Sequence, residues 1–275
     1  MKEVSYKGLF DLKDKVAIVT GGVGILGKHF CAGFAESGAK VAVVDVQGNE
    51  AEEYARVLNK RFNTKAIGVE CDVSDEHSIE RMVECVVKEF GEINILHNNA
   101  AGKSDDLDAY FAPFEDYNLT QWRKIMSVNL DGMFLVAKAV GKQMVQQGKG
   151  GSIIQTASIY GVLGPDQRIY EGSFYLGRQI NTPAVYAVSK AGVIGLTSYL
   201  ATYWADKGIR VNTLTPGGTE SGQNDEFKKR YAARIPLNRM AQAHEMVGAL
   251  LYLASDASGY VTGQNIMIDG GLNAW

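Results

Sequence analysis

The chain has 275 residues, 46% of them hydrophobic and 21% charged, so it is long enough to bury a sizeable core. Its 28 basic and 31 acidic residues leave a net charge of −3 without a long block of either sign, which argues against a dedicated nucleic-acid surface and favours a small-molecule partner. The 31 glycines come with only 5 prolines and no collagen-like period, which excludes collagen and argues against disorder.

Seven short runs rich in β-branched residues alternate with longer helical patterns along the chain. In order, the runs are 16–20, 41–45, 66–69, 93–96, 152–154, 209–212 and 265–268. The first two are hydrophobic almost throughout, as strands covered on both faces are. Alternating strands and helices predict right-handed βαβ units and an α/β fold with an open parallel sheet. Since no linker or internal repeat divides the chain, we expect one domain over residues 1–275.

Capping residues predict where two of the helices begin and end. A helix over 27–37 is expected to end at Gly38, a residue suited to the left-handed conformation that closes helices. A second helix, over 75–90, is expected to follow Ser74 as its N-cap and to end at Gly91. By contrast, residues 161–185 are rich in Gly, Tyr and polar residues without a clear period, so we expect an excursion outside the core.

A glycine-rich loop, TGGVGILG at residues 20–27, joins the first strand to the first helix. Backbone amides and the positive end of the helix dipole converge there, which predicts phosphate binding. Two nucleotide classes compete for this loop. Residues 22–29 nearly match the GxxxxGK[ST] loop of kinases and ATPases, but His29 replaces the hydroxyl residue that binds Mg²⁺. A dinucleotide loop instead predicts an acidic residue about twenty positions on, and Asp45 stands 18 positions after Gly27.

Asp45 also indicates which dinucleotide is preferred. A carboxylate at this position accepts hydrogen bonds from the adenosine ribose hydroxyls and repels the extra phosphate of NADP. Neither Gly24 in the loop nor Val46 after the strand supplies a cation that would attract that phosphate. We therefore expect NAD rather than NADP.

Tyr186 and Lys190 stand four positions apart in PAVYAVSKAG, at the start of a long helical pattern. Their side chains therefore share one helix face and can share one site. A free tyrosine has a pKa of about 10, but a neighbouring ammonium stabilises its phenolate, so Lys190 is expected to tune Tyr186 as a base. The same spacing also occurs in ordinary amphipathic helices, so the pair taken alone does not decide between catalysis and packing.

An ordered set of motifs resembles the short-chain dehydrogenase/reductase family over roughly residues 12–271. The motifs are the TGxxxxxG loop, Asp72-Val73, Asn98-Asn-Ala100, Asn129 in VNLDG, Ser158 in IIQTAS, YAVSK, Thr215-Pro-Gly217 and the closing VTGQNIMIDGG. The resemblance implies a Rossmann-type, doubly wound parallel sheet of seven strands with helices on both faces. It also implies nicotinamide-dependent interconversion of an alcohol and a ketone, and a homotetramer or dimer.

The resemblance assigns roles to individual residues of the site. The catalytic residues would be Tyr186 as general acid/base, Ser158 as hydrogen-bond partner of the substrate oxygen, Lys190 as binder of the nicotinamide ribose, and Asn129 as holder of a relay water. In oxidation the phenolate of Tyr186 would take the hydroxyl proton while hydride leaves the carbinol carbon, and Ser158 would stabilise charge on the oxygen. The implied cofactor contacts lie in the glycine loop, at strand ends and on the catalytic helix: Gly21, Gly24, Ile25, Gly27, Asp45, Asp72, Val73, Asn99, Ala100, Tyr186, Lys190, Pro216, Gly217 and Thr219.

Two departures from the family pattern bear on the site. Ile25 occupies the position of the middle glycine in the phosphate loop, which predicts a shifted register of the loop amides. Ser158 and Tyr186 are 28 positions apart, well beyond the usual family spacing, so a segment at about 161–185 is inserted beside the active site. Its hydrogen-bonding side chains and guanidinium groups suit a sugar, sugar acid or polyol, with Arg168, Tyr175 and Arg178 as substrate residues. A solvated loop or a subunit contact is the alternative interpretation.

Cysteine and histidine usage predicts neither a disulfide framework nor a metal site. Cys31, Cys71 and Cys85 lack CxxC spacing, and the four histidines are scattered without an HExxH motif. The apolar runs near the chain start are too short to span a bilayer. We expect a cytoplasmic protein with neither a membrane nor a nucleic-acid partner.

The main hypothesis is an NAD-dependent oxidoreductase that interconverts a secondary alcohol and a ketone on a carbohydrate-like molecule. The alternatives are a catalytically weak NAD-binding sensor or scaffold, and a phosphotransferase that uses the near-match glycine loop. NADH binding would separate the phosphotransferase from the other two, and turnover would separate the enzyme from the sensor.

Overall fold

Seven parallel strands form one sheet at the centre of the molecule. The computed structural model describes residues 5–102, 104 and 106–275, and the side chain of Tyr175 is outside that description. The strands are β1 (Val16–Thr20), β2 (Lys40–Asp45), β3 (Ala66–Glu70), β4 (Ile95–Asn98), β5 (Gly151–Thr156), β6 (Phe174–Tyr175), β7 (Arg178–Gln179), β8 (Ile209–Pro216) and β9 (Asn265–Ile268). The short β6 and β7 form a separate antiparallel hairpin, and the other seven follow the order β3-β2-β1-β4-β5-β8-β9. All neighbours in the large sheet are parallel, which confirms the predicted α/β fold class.

Helices cover both faces of this sheet. Within the described residues they are α1 (Ile25–Glu36), α2 (Gly48–Phe62), α3 (Glu76–Phe90), α4 (Leu107–Tyr110), α5 (Leu119–Met126), α6 (Gly132–Gln147), α7 (Ala184–Tyr203), α8 (Asp225–Ala232) and α9 (Val247–Ala254). Helices α1, α2 and α9 bury side chains such as Phe30 and Leu250 on one face, and α3, α6 and α7 bury others such as Met82 on the opposite face. Alternate side chains of β1 enter these two cores, which is why the whole strand is hydrophobic.

Strands β2, β3 and β5 extend one or two positions beyond the sequence prediction at one or both ends, and β4 and β8 differ more. Strand β4 begins at Ile95 rather than at residue 93, because the Ile93 amide donates to Gln147 Oε1 (2.9 Å) instead of to a neighbouring strand. Strand β8 continues to Pro216, four positions beyond the predicted end, because β9 pairs with its second half. The run of β-branched residues therefore marks only part of each strand.

The first turn of α3 corrects a predicted cap. Asp75, not Ser74, is the N-cap, since its Oδ1 accepts a hydrogen bond from the His77 amide (3.0 Å). Ser74 instead donates its hydroxyl to Asp72 Oδ1 (2.7 Å). The predicted end at Gly91 is confirmed, with φ +87° in the left-handed region. Ser and Asp are both good N-caps, so adjacent candidates are separated only by the direction in which each side chain points.

The inserted segment between β5 and α7 is only partly the excursion that its composition predicts. Ile169 and Tyr170 are 4% and 6% exposed and pack against Phe227 and other residues of α8 and its surroundings. The β6–β7 hairpin beyond them turns at Leu176 and Gly177, which both have positive φ (50° and 78°). The prediction that this segment lies outside the core is therefore wrong for residues 169–170.

Helix α7 carries two of the predicted catalytic residues. It is the helix among those described that is long and apolar enough to cross a bilayer, by length and composition only. Its buried side chains include Val193, Thr197 and Leu200, and it lies against β5 and β8 as a core helix does. Its first turns stand beside the end of β5, because Lys190 Nζ donates to the carbonyl oxygen of Thr156 (3.0 Å).

Candidate active site

A cavity of about 420 Å³ opens at the carboxyl ends of the central strands. In an open parallel sheet, ligands bind at this edge where the strand order reverses, and here that point lies between β1 and β4. The lining includes Ile25 and Leu26 of the glycine loop, the residues Ser158, Tyr186 and Lys190, and a group of aromatic side chains. The cavity therefore joins the predicted cofactor loop to the predicted catalytic residues.

The glycine loop turns tightly where β1 ends. Gly21 has φ +65°, and a Cβ on Gly27 would lie 1.9 Å from the Gly21 carbonyl oxygen. Helix α1 begins directly after its N-cap residue Gly24, so the amides of its first turn, which have no partner within a helix, face the loop. Asp45 Oδ2 accepts a hydrogen bond from the Val23 amide (3.2 Å), which places a carboxylate beside the same loop. The amides of the first turn suit the pyrophosphate of a dinucleotide, and the Asp45 carboxylate suits its ribose hydroxyls. The tight turn leaves no room for a larger side chain at Gly27.

We expect Gly27→Ala to destabilise the protein by about 1–3 kcal/mol, because the added methyl group must displace the Gly21 carbonyl. It should also weaken NADH binding, since the loop amides move with that carbonyl. Urea unfolding measures the first effect, and a titration of NADH fluorescence measures the second. Gly248→Ala is the matched control, because a Cβ at Gly248 would meet nothing within 4 Å. Equal effects of the two substitutions would contradict the tight turn.

Other predicted cofactor residues follow the ends of β3 and β4. The amides of Asn99 and Ala100 donate to Thr20 Oγ1 (2.9 and 3.0 Å), which ties the end of β4 to the end of β1. Asn99 lines the cavity. Asp72 and Val73 follow β3 and are not part of that lining, so their role as cofactor contacts stays a prediction.

The segment after β8 supplies three further predicted cofactor residues, Pro216, Gly217 and Thr219, and all three line the cavity. A Cβ on Gly217 would lie 2.7 Å from the Cα of Asp269, so the backbone has no room for a side chain there. Thr219 Oγ1 is buried and has no hydrogen-bond partner among the described residues. A buried hydroxyl of this kind costs about 1–3 kcal/mol unless something satisfies it, which fits a polar group of a bound cofactor.

Three of the four predicted catalytic residues meet in the cavity. Ser158 lies close enough to Tyr186 to lower the pKa of its phenol, and both side chains line the cavity. Lys190 Nζ lies 6.0 Å from the centre of the Tyr186 ring, and the Lys190 side chain is almost completely buried. The hydrogen bond from Nζ to the Thr156 carbonyl oxygen holds the ammonium in place at the end of β5. The geometry brings a phenol, a hydroxyl and a cation to one point.

Asn129, the fourth predicted catalytic residue, lies in a π-helical turn (Ser127–Asp131) between α5 and α6. Such turns are rare and are frequent at functional sites. Asn129 is fully buried, and its Oδ1 accepts a hydrogen bond from the Gly102 amide (2.8 Å). Its Nδ2 has no partner within the described part of the chain, and the residue is not part of the cavity lining. The relay-water role of Asn129 stays a prediction.

Burial controls the titration of the catalytic pair. It raises the pKa of Tyr186, and the hydrogen bond from Ser158 works in the opposite direction. Burial also lowers the pKa of Lys190 to about 8. The expected lowering of the Tyr186 pKa by Lys190 is not seen in this structure, because desolvation raises that pKa and Lys190 is not among the groups that shift it. The phenol is therefore protonated at neutral pH, ready to act as an acid.

The two arginines predicted to face the substrate do not line the cavity. Arg168 donates to both carboxylate oxygens of Asp166 (2.8 and 2.9 Å), and its side chain is 85% exposed. Arg178 forms an ion pair with Asp108 of α4. Each guanidinium is captured by a carboxylate, the partner whose geometry it matches best. This placement corrects the substrate assignment of Arg168 and Arg178, and the side chain of Tyr175 lies outside the described residues.

Aromatic side chains form the wall that the sequence analysis did not identify. They are Tyr110, Phe111, Tyr160, Tyr170, Phe227 and Tyr231. They come from α4, from the turn after β5, from the inserted segment and from α8, so no sequence period connects them. The inserted segment contributes Tyr170, whose hydroxyl is hydrogen-bonded to Thr182 and to the Tyr160 hydroxyl. Lys190 is the one charged side chain among the described residues that line the cavity.

Comparisons with known proteins extend over nearly the whole chain. A family model described as Enoyl-(Acyl carrier protein) reductase matches residues 23–273. The chain is 35% identical to the D-threitol dehydrogenase of Mycolicibacterium smegmatis, over 98% of this chain and 97% of that protein. It is 34% identical to an NADP-dependent mannitol dehydrogenase of Alternaria alternata, over 96% and 94%. A solved structure of a short-chain type dehydrogenase/reductase from Mycobacterium marinum matches with a TM-score of 0.86 at 33% identity, covering 99% of this chain and 100% of that one.

Proposed function

The chain belongs to the short-chain dehydrogenase/reductase family of oxidoreductases, and on that premise we propose that it interconverts a secondary alcohol of a polyol and the corresponding ketone, with NAD preferred over NADP. The observation that carries the proposal is the meeting of Ser158, Tyr186 and Lys190 in one cavity beside the glycine loop. The relatives named for threitol and mannitol support a polyol as the substrate.

Three side chains have separate roles in the reaction at the substrate oxygen. When bound, a nicotinamide dinucleotide supplies the hydride acceptor for oxidation or the hydride donor for reduction. In reduction the Tyr186 phenol gives its proton to the developing alkoxide, and in oxidation its phenolate takes the hydroxyl proton. Ser158, which lines the cavity with Tyr186, stabilises charge on the same oxygen. The Lys190 ammonium favours the phenolate form of Tyr186 through its charge.

Asp45 supports NAD as the preferred cofactor. The residue is 9% exposed and accepts hydrogen bonds from the amides of Val23 and Gln47, so its carboxylate is held at the end of β2. Ribose hydroxyls can donate to such a carboxylate, whereas a phosphate brought beside it is repelled. Because one relative is NADP-dependent, membership of the family does not by itself decide the cofactor.

We expect Asp45→Asn to lower the ratio of kcat/KM with NAD to kcat/KM with NADP by about 10–100-fold, because the substitution removes the repulsive charge. Asn keeps the shape of the side chain and one acceptor oxygen, so one of the two amides that donate to Asp45, those of Val23 and Gln47, keeps its acceptor. Initial rates with each cofactor measure the ratio. Glu36→Gln, which removes an exposed charge at the end of α1, is the control. An unchanged ratio in Asp45→Asn would refute the role of the carboxylate.

A substrate panel tests the proposed reaction. Neutral polyols, the matching ketoses and aldonates are assayed by NADH absorbance with each cofactor, and NADH binding is followed by fluorescence. Turnover of neutral polyols is expected. NADH binding without turnover of any alcohol would favour the sensor or scaffold, and absence of NADH binding would contradict both. The cytoplasmic location and the homo-oligomeric assembly stay predictions.

A further inference from the structure

The structure assigns a substrate contact to Tyr110, which no motif of the sequence predicts. We infer that its phenol hydroxyl binds a second hydroxyl group of the substrate, besides the one that reacts. The inference rests on the proposed function, since it concerns the same cavity. Tyr110 is the last residue of α4, and it lines the cavity together with Tyr186.

The hydroxyl of Tyr110 is available to a ligand. The residue is 8% exposed and lines the cavity, and no hydrogen bond is among the causes that shift the pKa of its phenol. A phenol hydroxyl at a cavity wall can donate to and accept from a hydroxyl group of a ligand. The other phenols of the wall are engaged: the Tyr231 hydroxyl accepts from the Gly218 amide (2.7 Å), and the Tyr160 hydroxyl accepts from Tyr170. A hydroxyl group of the substrate is the partner that the cavity can supply to Tyr110.

The ring of Tyr110 is held in position by its neighbours. It meets the ring of Phe111 edge to face, with centroids 5.0 Å apart and planes at 73°. It also packs with Ile125 of α5 and Val185 of α7. The side chain of Asp106 caps α4 by accepting from the Ala109 amide (3.0 Å). A hydroxyl carried on a fixed ring discriminates between substrates better than one on a mobile chain, because little ordering is needed on binding.

The inserted segment supports α4 beside the cavity. Asn181 Nδ2 donates to the carbonyl oxygen of Phe111 (2.9 Å), and Arg178 forms its ion pair with Asp108. Both partners belong to α4 or directly follow it. Arg178, which is not part of the cavity lining, is therefore a positioning residue, whereas Asn181 lines the cavity and also holds the end of α4. The inserted segment acts on the substrate partly through Tyr110. Through its ion pair with Asp108, Arg178 can therefore contribute to the site although its guanidinium does not reach the cavity.

The surroundings of Tyr110 favour a neutral hydroxyl over a carboxylate. Burial raises the pKa of Tyr110, and the neighbouring Tyr186 acts in the same direction, so the phenol stays protonated and can both donate and accept. The described lining offers a carboxylate no guanidinium, because Arg168 and Arg178 are paired elsewhere. The one cation of that lining, Lys190, is held at the Thr156 carbonyl beside Tyr186, so a carboxylate bound at Tyr110 would lack a cationic partner, which is unfavourable. The site therefore fits a neutral polyol better than a sugar acid.

The test compares two substrates in three proteins. The substrates are the best polyol of the panel and the secondary mono-alcohol with the same carbon skeleton. Tyr110→Phe should lower the ratio of kcat/KM for the polyol to kcat/KM for the mono-alcohol by about tenfold, since one hydrogen bond to the polyol is lost. The control is Tyr117→Phe, which removes a hydroxyl from the same cluster of side chains but outside the cavity lining. It should leave the ratio unchanged.

Other outcomes overturn the inference. An unchanged ratio in Tyr110→Phe, or an equal loss on both substrates, would show that the hydroxyl serves the fold rather than the substrate. A calorimetric titration of the polyol into the enzyme with NADH bound gives a readout that does not depend on turnover. Weaker polyol binding in Tyr110→Phe than in the wild type supports the inference even if no alcohol is oxidised, an outcome that would defeat only the proposed function. Equal polyol affinities in the two proteins would overturn the inference whatever the activity.

Discussion

Tyr186→Phe is expected to lower kcat about 10²–10⁴-fold, which is the usual contribution of a positioned general acid or base. The substitution removes one oxygen from a ring that lines the cavity and leaves the ring itself. Because the phenol exchanges a proton with the substrate in the proposed reaction, both directions of that reaction should slow. NADH absorbance measures the loss, and NADH fluorescence should show that cofactor affinity is nearly unchanged.

Tyr199→Phe is the matched control for this substitution. Tyr199 belongs to the same helix, α7, but it is 62% exposed, so the loss of its hydroxyl should leave kcat unchanged. Near-normal turnover in Tyr186→Phe would refute the proposed chemistry. A parallel loss of NADH binding would instead point to a disturbed site rather than to a missing acid or base.

Lys190→Met is expected to abolish most of the turnover while it stabilises the fold. Burial lowers the pKa of Lys190 from its ordinary 10.5 to about 8, so at neutral pH the folded protein holds a charge in an unfavourable place. This shift corresponds to about 3 kcal/mol, and loss of the hydrogen bond to Thr156 offsets about 1 kcal/mol. We therefore expect a gain of about 1–3 kcal/mol in the free energy of unfolding at pH 7.

The pH dependence gives the second part of this prediction. Between pH 8 and 10.5 the unfolded wild-type chain holds the Lys190 proton and the folded protein has lost it, so wild-type stability rises with pH across this window. The advantage of Lys190→Met should therefore be largest below about pH 8 and should shrink toward pH 10.5. Urea unfolding at several pH values measures it. Lys142→Met, at an exposed position on α6, controls for the loss of a surface charge. A destabilised Lys190→Met protein at pH 7 would contradict the account.

Stability and activity are opposed at Lys190 for one physical reason. An ammonium that favours a phenolate acts best where water is excluded, and exclusion of water is what makes the charge unfavourable in the fold. Sites of this kind recur where a protein sacrifices stability for function. A hydrophobic residue at position 190 would make the fold more stable, but Tyr186 would then have no cation beside it.

Much of the site could be predicted because its residues lie at local, recognisable places in the chain. The glycine loop directly follows a buried strand, and Tyr186 and Lys190 are one helical turn apart. Asp45 ends β2, as the dinucleotide interpretation requires. Parallel strands bring their carboxyl ends to one edge of the sheet, so residues at strand ends meet there even when they are far apart in the chain.

Other predictions failed where two alternative contacts of a side chain or a helix end have similar energies. Ser74 and Asp75 are both good N-caps, and only the direction of the side chain separates them. Arg168 finds Asp166 two positions away, although a carboxylate of a substrate would suit it equally well. In such cases the residue type predicts the kind of contact and leaves the partner open.

The sequence by itself determined the family and the sheet with helices on both faces, and it supplied the proposed catalytic residues, because strand patterns, loop glycines and helix spacing are local properties of the chain. Only the tertiary structure decided how the cavity is closed. Its wall combines Tyr110 with residues of the inserted segment and of α8, and α4 is held by Arg178, which stands 70 positions after its partner Asp108. Contacts between such distant residues depend on how the layers pack, and the local pattern of neither segment carries that information.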